Sequence, residues 1–262
     1  MEMLFYFSAT GNCKRAAEVI SETTGERMVS IAKALDSGNL TFNIGDDEPI
    51  GFIIPTYFYN PPRAVVEFVR RAEFKNASGK YAYVVVTLGT RSGGTGRALA
   101  EELSKKNVGV KAQFSIRTQY TYIPSLDIAE GNELEEILES ADDQAKEIAK
   151  QVASRETGDF NRFAGVVAAA VSHGMIAAYD KAAKTSKFTV SESCDGCGTC
   201  ADVCVDRAIS IIDCRPSWDK ESCTMCLACL HRCPKVAIDL GDSTAGKRRY
   251  VNPRTEIPDG VL

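Results

Sequence analysis

Nine of the ten cysteines in this 262-residue chain lie between Cys194 and Cys233. Eight of them form two runs with the same spacing, C-x2-C-x2-C-x3-C, and the second run is followed by Pro234. The first run consists of Cys194, Cys197, Cys200 and Cys204, and the second of Cys223, Cys226, Cys229 and Cys233. Thiolates at this spacing are typical ligands of [4Fe–4S] clusters. The sequence therefore predicts two such clusters.

The spacing also predicts how the ligands are shared. Three thiolates from one tight loop can reach three corners of a cubane, but the loop cannot fold back to the fourth corner. A helix that starts after the third cysteine carries the fourth cysteine toward the other loop. We expect one cluster on Cys194, Cys197, Cys200 and Cys233, and the other on Cys223, Cys226, Cys229 and Cys204. Zinc ribbons use separated C-x2-C pairs, and disulfides need an oxidising compartment, so both alternatives suit the spacing poorly.

A second polar segment lies near the start of the chain. "FSATGNC" ends at Cys13, follows the apolar run Leu4–Ser8 and opens a helical pattern. Backbone N–H groups and the positive end of a helix can hold a phosphate there, and Gly11 permits close approach of a ligand. The segment matches neither the nucleoside triphosphate motif nor the dinucleotide motif. The alternative is that it only caps the helix.

Strand-like and helix-like segments alternate through the first part of the chain, which favours a doubly wound α/β fold with a parallel sheet. A charged amphipathic pattern predicts a final helix over roughly Glu133–Arg155. Five strands are expected, at Leu4–Ser8, Arg27–Ala32, Pro49–Tyr57, Lys80–Gly89 and Val108–Arg117.

Two further loops follow predicted strands, "PTYFYNPP" (55–62) and "TLGTRSGG" (87–94). Ligands of open α/β sheets bind where such loops leave the carboxyl ends of strands. Together with the first loop they resemble the three FMN loops of flavodoxins. The resemblance implies that Tyr57 or Tyr59 stacks on the flavin. The implied FMN residues are Ser8, Ala9, Thr10, Gly11, Asn12, Cys13, Pro55, Thr56, Tyr57, Phe58, Tyr59, Asn60, Thr87, Leu88, Gly89, Thr90, Gly93 and Gly94.

Cys13 departs from the hydroxyl residue usual at its place in flavodoxins. A thiol is a poor hydrogen-bond donor, so phosphate affinity is expected to fall while the backbone donors remain. The alternative for Cys13 is a reactive thiol activated by the helix N-terminus.

Residues 186–240 resemble the bacterial two-[4Fe–4S] ferredoxins, although Val205 replaces the proline expected after the first run. The whole chain resembles the flavodoxin–ferredoxin fusion proteins of anaerobic bacteria and archaea. That resemblance implies a flavodoxin-like FMN domain at 1–155, a helical connector at 156–185, a small α+β ferredoxin-like domain at 186–240 and a tail at 241–262. It also implies electron transfer between two [4Fe–4S] clusters and FMN, with redox proteins as partners.

Two other functions stay open at this point. The chain could be a flavin-dependent reductase that is fed through the clusters and acts on a small substrate, which requires a substrate pocket over the flavin. It could instead be a ferredoxin carried on a flavin-free, flavodoxin-like adaptor. No convincing catalytic acid stands out: His173 lies in an alanine-rich stretch and is expected in the core, and His231 lies within the second cysteine run.

The net charge, the N-terminus and one apolar stretch bear on the expected partners and location of the protein. The net charge of −4 gives no general affinity for nucleic acid. The N-terminus does not read as a secretory signal, so we expect a cytoplasmic protein. Phe163–Tyr179 is short against the ~20 residues of a membrane span, and we expect instead a packed helix of small residues.

Three features near the carboxyl end have no assigned chemistry. Cys214 lies outside both runs and is expected to be a small buried side chain. Trp218, the single tryptophan, is expected to pack against a cluster loop. The basic tail is expected either to dock on the first domain or to meet an acidic partner. The oligomeric state is not indicated.

Overall fold

A computed structural model describes residues 3–257 and 260. The strands in this part of the chain are β1 Met3–Tyr6, β2 Arg27–Ser30, β3 Thr41–Asn43, β4 Ile50–Pro55, β5 Glu73–Lys75, β6 Ala82–Leu88, β7 Val110–Arg117, β8 Gly158–Asp159, β9 Phe188–Val190, β10 Ile209–Ile212, β11 Arg215–Trp218 and β12 Ile238–Leu240. The α-helices are α1 Asn12–Thr24, α2 Ile31–Ser37, α3 Arg63–Arg71, α4 Thr95–Ser104, α5 Gly131–Ala153, α6 Val166–Val171, α7 Met175–Ala182, α8 Thr199–Asp202 and α9 Ala228–His231.

Within the described residues, six parallel strands form the main sheet in the order β2-β1-β4-β6-β7-β8. The five longer strands follow the flavodoxin-like order 2-1-3-4-5 of doubly wound sheets. Five strands were expected from the sequence, one fewer than this sheet contains. The additional strand, β8, has two residues and pairs with Ala112 and Gln113 of β7. A pair of residues is too short to show a strand pattern, and β8 lies inside the segment expected to be a helical connector.

The apolar strands are covered on both faces. In β1 and the residue after it, Phe5 and Phe7 point into one core, whereas Leu4 and Tyr6 point into the other. Every residue of β6 is buried. Parallel strands between two helical layers need apolar residues at successive positions rather than at alternate ones, which explains the continuous apolar runs in the sequence.

Helix α1 is fixed at both ends by glycine. Gly11 precedes it with φ 96°, and Gly25 ends it with φ 76° while its N–H donates to Ser21 O at 2.8 Å. These are left-handed conformations that glycine adopts at little cost. The turn at Gly11 takes the chain from the carboxyl end of β1 directly into α1, and so forms the first candidate loop.

The cysteine-rich segment packs on the carboxyl edge of the main sheet. It contains two antiparallel pairs, β10–β11 and β9–β12, and the short helices α8 and α9. Its core is continuous with the first part of the chain, because Ala9 and Ile123 cluster with Leu230 and Tyr250. The two parts therefore share one hydrophobic core at this edge.

The segment between the two parts forms two short helices rather than one packed helix. α6 and α7 are separated by Ser172, His173 and Gly174, and Val166 is 88% exposed. His173 is exposed, so the expectation of a core histidine was wrong. Across residues 3–257 and 260, no helix combines the length and the apolar character that crossing a membrane would need.

Candidate functional site

A cavity of about 290 Å³ lies at the carboxyl ends of β1, β4, β6 and β7, bounded also by the cysteine-rich segment. All three loops singled out from the sequence contribute to its wall. The predicted residues that line it are Ser8, Ala9, Thr10, Asn12, Cys13, Pro55, Thr56, Tyr57, Phe58, Tyr59, Thr87, Leu88, Gly89 and Thr90. The cavity is thus at the edge where doubly wound sheets bind their ligands.

Four of the residues implied by the resemblance do not line the cavity. Gly11 faces the C-terminal tail: a Cβ there would stand 2.8 Å from Ile257 Cδ1. Asn60 Nδ2 donates to Ser172 O at 2.9 Å, away from the cavity. Gly93 and Gly94 pack against Tyr59 and Ser172. These four residues shape or brace the loops, and they do not reach the enclosed space.

The second loop is a tight turn that aims aromatic rings at the cavity. Phe58 and Tyr59 both have left-handed φ values, 50° and 61°. Hydrogen bonds in both directions between Tyr57 and Asn60, each 2.9 Å, close the turn. The Phe58 ring stacks on Tyr179 of α7 with centroids 5.3 Å apart. This packing holds a turn that otherwise favours glycine or asparagine.

A fourth loop, 118–122 after β7, also lines the cavity and was missed from the sequence. Gln119 in this loop is 4% exposed, and its Nε2 donates to Tyr120 O at 2.7 Å. Its Oε1 is buried and has no hydrogen-bond partner among the described residues. A buried acceptor without a partner costs about 1–3 kcal/mol. The cavity therefore suits a ligand that carries N–H or O–H donors, as a flavin with its ribityl chain does.

The loop carries no motif, but its position was a usable signal. β7 was predicted, and the carboxyl ends of parallel strands meet at one edge of the sheet. The residues after Arg117 could have been placed beside the other three loops on that ground alone. Gly89 confirms how closely they approach, since a Cβ there would stand 2.4 Å from the Tyr120 ring.

Cys13 is a buried, neutral thiol. Its side chain is 2% exposed, and Cys13 Sγ lies 3.0 Å from Thr87 Oγ1. Burial raises the pKa of the Cys13 thiol to about 12, with a smaller opposing effect from the hydrogen bond to Thr87. A thiol protonated at neutral pH is a weak nucleophile. This environment disfavours the reactive-thiol alternative and suits a packing role in the cavity wall.

The eight run cysteines are arranged in two groups that exchange their fourth members. Site I is the group Cys194, Cys197, Cys200 and Cys233, which all line one small cavity. Site II is the group Cys204, Cys223, Cys226 and Cys229. Asp206, two positions after Cys204, accepts hydrogen bonds from Thr224 N and Thr224 Oγ1, directly after Cys223. In both groups the fourth cysteine of one run lies beside the first three of the other. The spacing predicts the same two groups, and that each group binds a cluster stays a prediction.

The donor set has the chemistry that an iron–sulfur cluster requires. Backbone N–H groups point at thiol sulfurs: Ala208 N lies 3.3 Å from Cys204 Sγ, and Ala237 N lies 3.3 Å from Cys233 Sγ. Such N–H groups favour the charged thiolate. Among the described residues no three His, Cys, Asp or Glu side chains converge to hold one metal ion. The ligands of a cubane bind four different irons and need not converge on one ion, so the residues of both groups fit a [4Fe–4S] cluster.

Site II is part of the wall of the main cavity. Met225, Cys226 and Leu227 all line it, beside Tyr57. Burial raises the pKa values of the Cys226 and Cys229 thiols well above their usual range. Site I lies away from the cavity and nearer to solvent, with Cys197 exposed. The two groups therefore have different relations to the cavity.

The C-terminal tail docks on the first loop. Asn252 N donates to Thr10 O at 2.8 Å, and Tyr250 Oη donates to Asn12 Oδ1 at 2.7 Å. Of the two roles expected for the tail, the structure shows docking on the first part of the chain. The tail braces the first loop from outside the cavity.

His231 joins the cysteine-rich segment to this arrangement. Tyr250 N donates to His231 Nδ1 at 3.2 Å, so the proton is on Nε2, which donates to Thr121 O at 2.8 Å. Burial lowers the pKa of His231 to about 4, which keeps the ring neutral. The side chain thus links α9 to the fourth cavity loop and to the tail.

Trp218 and Cys214, which have no assigned chemistry, lie in different surroundings. Trp218 stacks on Phe188 with centroids 4.9 Å apart and packs against the core shared by both parts of the chain. Cys214 is exposed, so the expectation of burial was wrong. It lies in the two-residue turn of the β10–β11 hairpin, next to Asp213, and both residues have positive φ. Such a turn projects its side chains into solvent.

Comparisons with known proteins gave only distant likenesses. No protein-family model matches the chain, and no curated protein matches it. A flavodoxin from the domain Archaea is similar at 17% identity over 58% of this chain and 97% of that one, with a TM-score of 0.35. A WrbA-like flavodoxin from Agrobacterium tumefaciens is 15% identical over 59% and 98%, with a TM-score of 0.39. A flavone reductase is 13% identical over 61% and 66%, with a TM-score of 0.37. At these scores the assignment of the fold depends on the strand order described above.

Proposed function

We propose that this protein is a cytoplasmic electron carrier that binds FMN in the main cavity and one [4Fe–4S] cluster at each of sites I and II. Residues 1–155 supply most of the flavin site, and residues 186–240 supply the cluster ligands. The clusters bring one-electron chemistry, and the flavin can exchange one or two electrons. Redox proteins are the expected partners, in anaerobic metabolism.

One observation carries the proposal: the second cysteine loop forms part of the wall of the flavin-type cavity. Cys226 belongs both to site II and to that wall, and Tyr57 lies in the same wall. A protein that used its cysteine-rich segment only for structure would have no need to place a thiol there. This contact brings the two proposed cofactor sites together without intervening chain.

The residues of the cavity have separable tasks in this proposal. The backbone at the start of α1 faces the phosphate, since helix N-termini favour anions. Tyr57 and Tyr59 provide aromatic faces for the ring system, and Gln119 Oε1 accepts a hydrogen bond from the cofactor. Met225 and Leu227 exclude water between site II and the cavity.

The reductase alternative has less support from the cavity. Its volume of about 290 Å³ lies just below the range usual for small-molecule sites, about 300–1,000 Å³. A flavin would fill most of it, and Met175 of α7 lines the same space. Little room remains for a second small molecule. The flavin-free adaptor is disfavoured by the buried Gln119 acceptor that has no partner among the described residues.

The test is an anaerobic preparation in which iron, acid-labile sulfide and extracted flavin are quantified. We expect about eight iron atoms and about one FMN per chain, as two cubanes and one flavin require. Eight iron atoms with no flavin, even after addition of FMN, would contradict the flavin site and leave the clusters. Absence of acid-labile sulfide would contradict the clusters.

A pair of glutamine variants tests the cavity specifically. Gln119→Leu removes the buried acceptor, and we expect FMN affinity to fall about tenfold, since a lost hydrogen bond to a buried group costs roughly 1–3 kcal/mol. Gln151→Leu is the matched control, because Gln151 lies on α5 outside the cavity. Equal FMN affinities in the two variants, measured by quenching of flavin fluorescence, would place the flavin elsewhere.

A further inference from the structure

The two cysteine sites are related by an internal repeat, which makes corresponding positions directly comparable. The residue after the first cysteine is Asp195 in the first run and Thr224 in the second. The residue two positions after the fourth cysteine is Asp206 in the first run and Lys235 in the second. Because the fourth cysteines are exchanged, Lys235 lies at site I and Asp206 lies at site II.

The charges at these positions differ between the sites. At site I, Lys235 Nζ lies 3.5 Å from Asp195 Oδ2, and the two charges offset each other. At site II, Asp206 accepts hydrogen bonds from Thr224 N at 2.6 Å and from Thr224 Oγ1 at 2.7 Å. These bonds fix the carboxylate against the second cysteine loop and bring no cation with them.

Two cations also lie near site II, and neither donates to the Asp206 carboxylate. Lys220 Nζ donates to the backbone oxygen of Asp206 and acts on the Cys204 thiol. Arg63 acts on Cys223 but is ion-paired with Asp180. Thr224 directly follows Cys223, so its two hydrogen bonds hold the Asp206 carboxylate beside a ligand of site II. Asp206 is also two positions after Cys204, the exchanged ligand of the same site.

The two sites also differ in burial, which adds to the difference in charge between them. Cys197 of site I is exposed, whereas in site II Cys204 and Cys229 are buried and Cys223 and Cys226 are half-buried. A charge interaction is several-fold stronger in a medium of low dielectric constant than in water. Reduction adds one negative charge to a cluster, so a nearby carboxylate and an enclosed position both oppose it.

We propose that Asp206 holds the reduction potential of the cluster at site II below that of the cluster at site I. This inference depends on the proposed function only in requiring that both clusters are present. Asp206 acts through its charge, and its hydrogen bonds to Thr224 position that charge against the ligands. The site beside the flavin cavity would then be the harder of the two to reduce.

The test is a redox titration of the full-length holoprotein followed by EPR, with Asp206→Asn as the variant. Asparagine keeps one oxygen to accept from Thr224 N, and its side-chain N–H can donate to Thr224 Oγ1, while the charge is removed. We expect the potential at site II to rise by about 59 mV or more, equivalent to a tenfold change in the ratio of reduced to oxidised cluster for one electron. The potential at site I should stay within experimental error. The Cys233→Ser variant, which removes a ligand of site I only, assigns the signals.

Lys235→Gln is the matched control at the repeat-related position. It removes a cation from site I, so only the reduction potential at site I should change. That potential should fall rather than rise, and by less than the change at site II, because Lys235 is half exposed. The inference is overturned if Asp206→Asn leaves both potentials unchanged, moves both equally, or if site II is reduced first in the unaltered protein. Equal iron contents of about eight in both variants would show that the proposed clusters are intact. Absence of cubane signals in the unaltered protein would overturn the proposed function and this inference together.

Discussion

The two cysteine loops follow the same backbone path with different residues. In each loop two residues have left-handed φ: the second and the fourth residue after the first cysteine of the run. In the first loop these are Gly196 and Gly198, with φ of 73° and 83°. In the second loop they are Met225 and Leu227, with φ of 57° and 58°.

The difference shows where left-handed strain is tolerated. A non-glycine residue in this conformation costs roughly 1–2 kcal/mol, whereas full burial of a large apolar side chain contributes about 1.5–3 kcal/mol. Met225 and Leu227 are each 3% exposed and line the main cavity. Their burial offsets the strain. In the first loop a Cβ at Gly196 would stand 2.6 Å from Cys214 O, so only glycine fits there. Gly198 has open space around it, where a side chain would gain little burial to offset the strain.

The largest effect should come from removing the exchanged cysteines one at a time. Cys204→Ser should lose the cluster of site II, and Cys233→Ser that of site I, so that each variant keeps about four iron atoms. Cys204→Ser should also weaken FMN binding, because the loop of site II walls the cavity, whereas Cys233→Ser should leave FMN affinity unchanged. Iron, sulfide and FMN affinity are measured on anaerobic preparations. Weakened FMN binding in Cys233→Ser alone would mean that the fourth cysteines are not exchanged.

Sequence reasoning was effective where one residue type dictates one geometry. The cysteine spacing predicts two groups with exchanged fourth members, because few loops can bring three thiols together and leave out a fourth. That these groups bind clusters stays a prediction. The five long strands were also predicted, since strands such as β6 must be apolar throughout to lie between two helical layers. The three loops followed from the strands, because their positions are fixed by the sheet.

Sequence reasoning failed where tertiary contacts determine the position or the role of a residue. Gln119 carries no motif, and its importance appears only when its buried oxygen is seen to lack a partner among the described residues. His173 was expected in the core because its neighbours are apolar, yet α6 and α7 leave much of that surface exposed. Cys214 lies in a left-handed turn without the glycine or asparagine that marks such turns. The docking of the tail depends on Tyr250 and Asn252 meeting a loop some 240 positions earlier.

Exchanging residues between the loops tests whether burial offsets the strain. Leu227→Gly relieves the left-handed strain but removes a buried side chain, a change that costs about 2–5 kcal/mol for leucine to alanine. We expect lower thermal stability and weaker FMN binding. Gly198→Leu is the matched exchange: a Cβ there has open space, so only strain of roughly 1–2 kcal/mol applies. FMN affinity should not change in that variant. Higher stability of Leu227→Gly would show that strain, not burial, dominates in the second loop.

The smallest effect concerns the residue two positions after the third cysteine, which is Asp202 in the first run and His231 in the second. His231→Ala leaves the buried Tyr250 N–H and the Thr121 carbonyl without their partner, which should cost roughly 1–3 kcal/mol of stability. FMN binding should weaken as well, because Tyr250 holds Asn12 and Thr121 lines the cavity. Asp202→Ala, at an exposed position, should change stability by less than about 0.5 kcal/mol.

The variant His231→Gln can still donate and accept hydrogen bonds, and it should recover part of the FMN affinity. FMN affinity is measured alongside thermal unfolding. If His231→Ala lowers stability but leaves FMN affinity unchanged, His231 joins the two parts of the chain without positioning the cavity loops. The link from α9 to the cavity loops would then contribute to the packing of the two parts of the chain and not to cofactor binding.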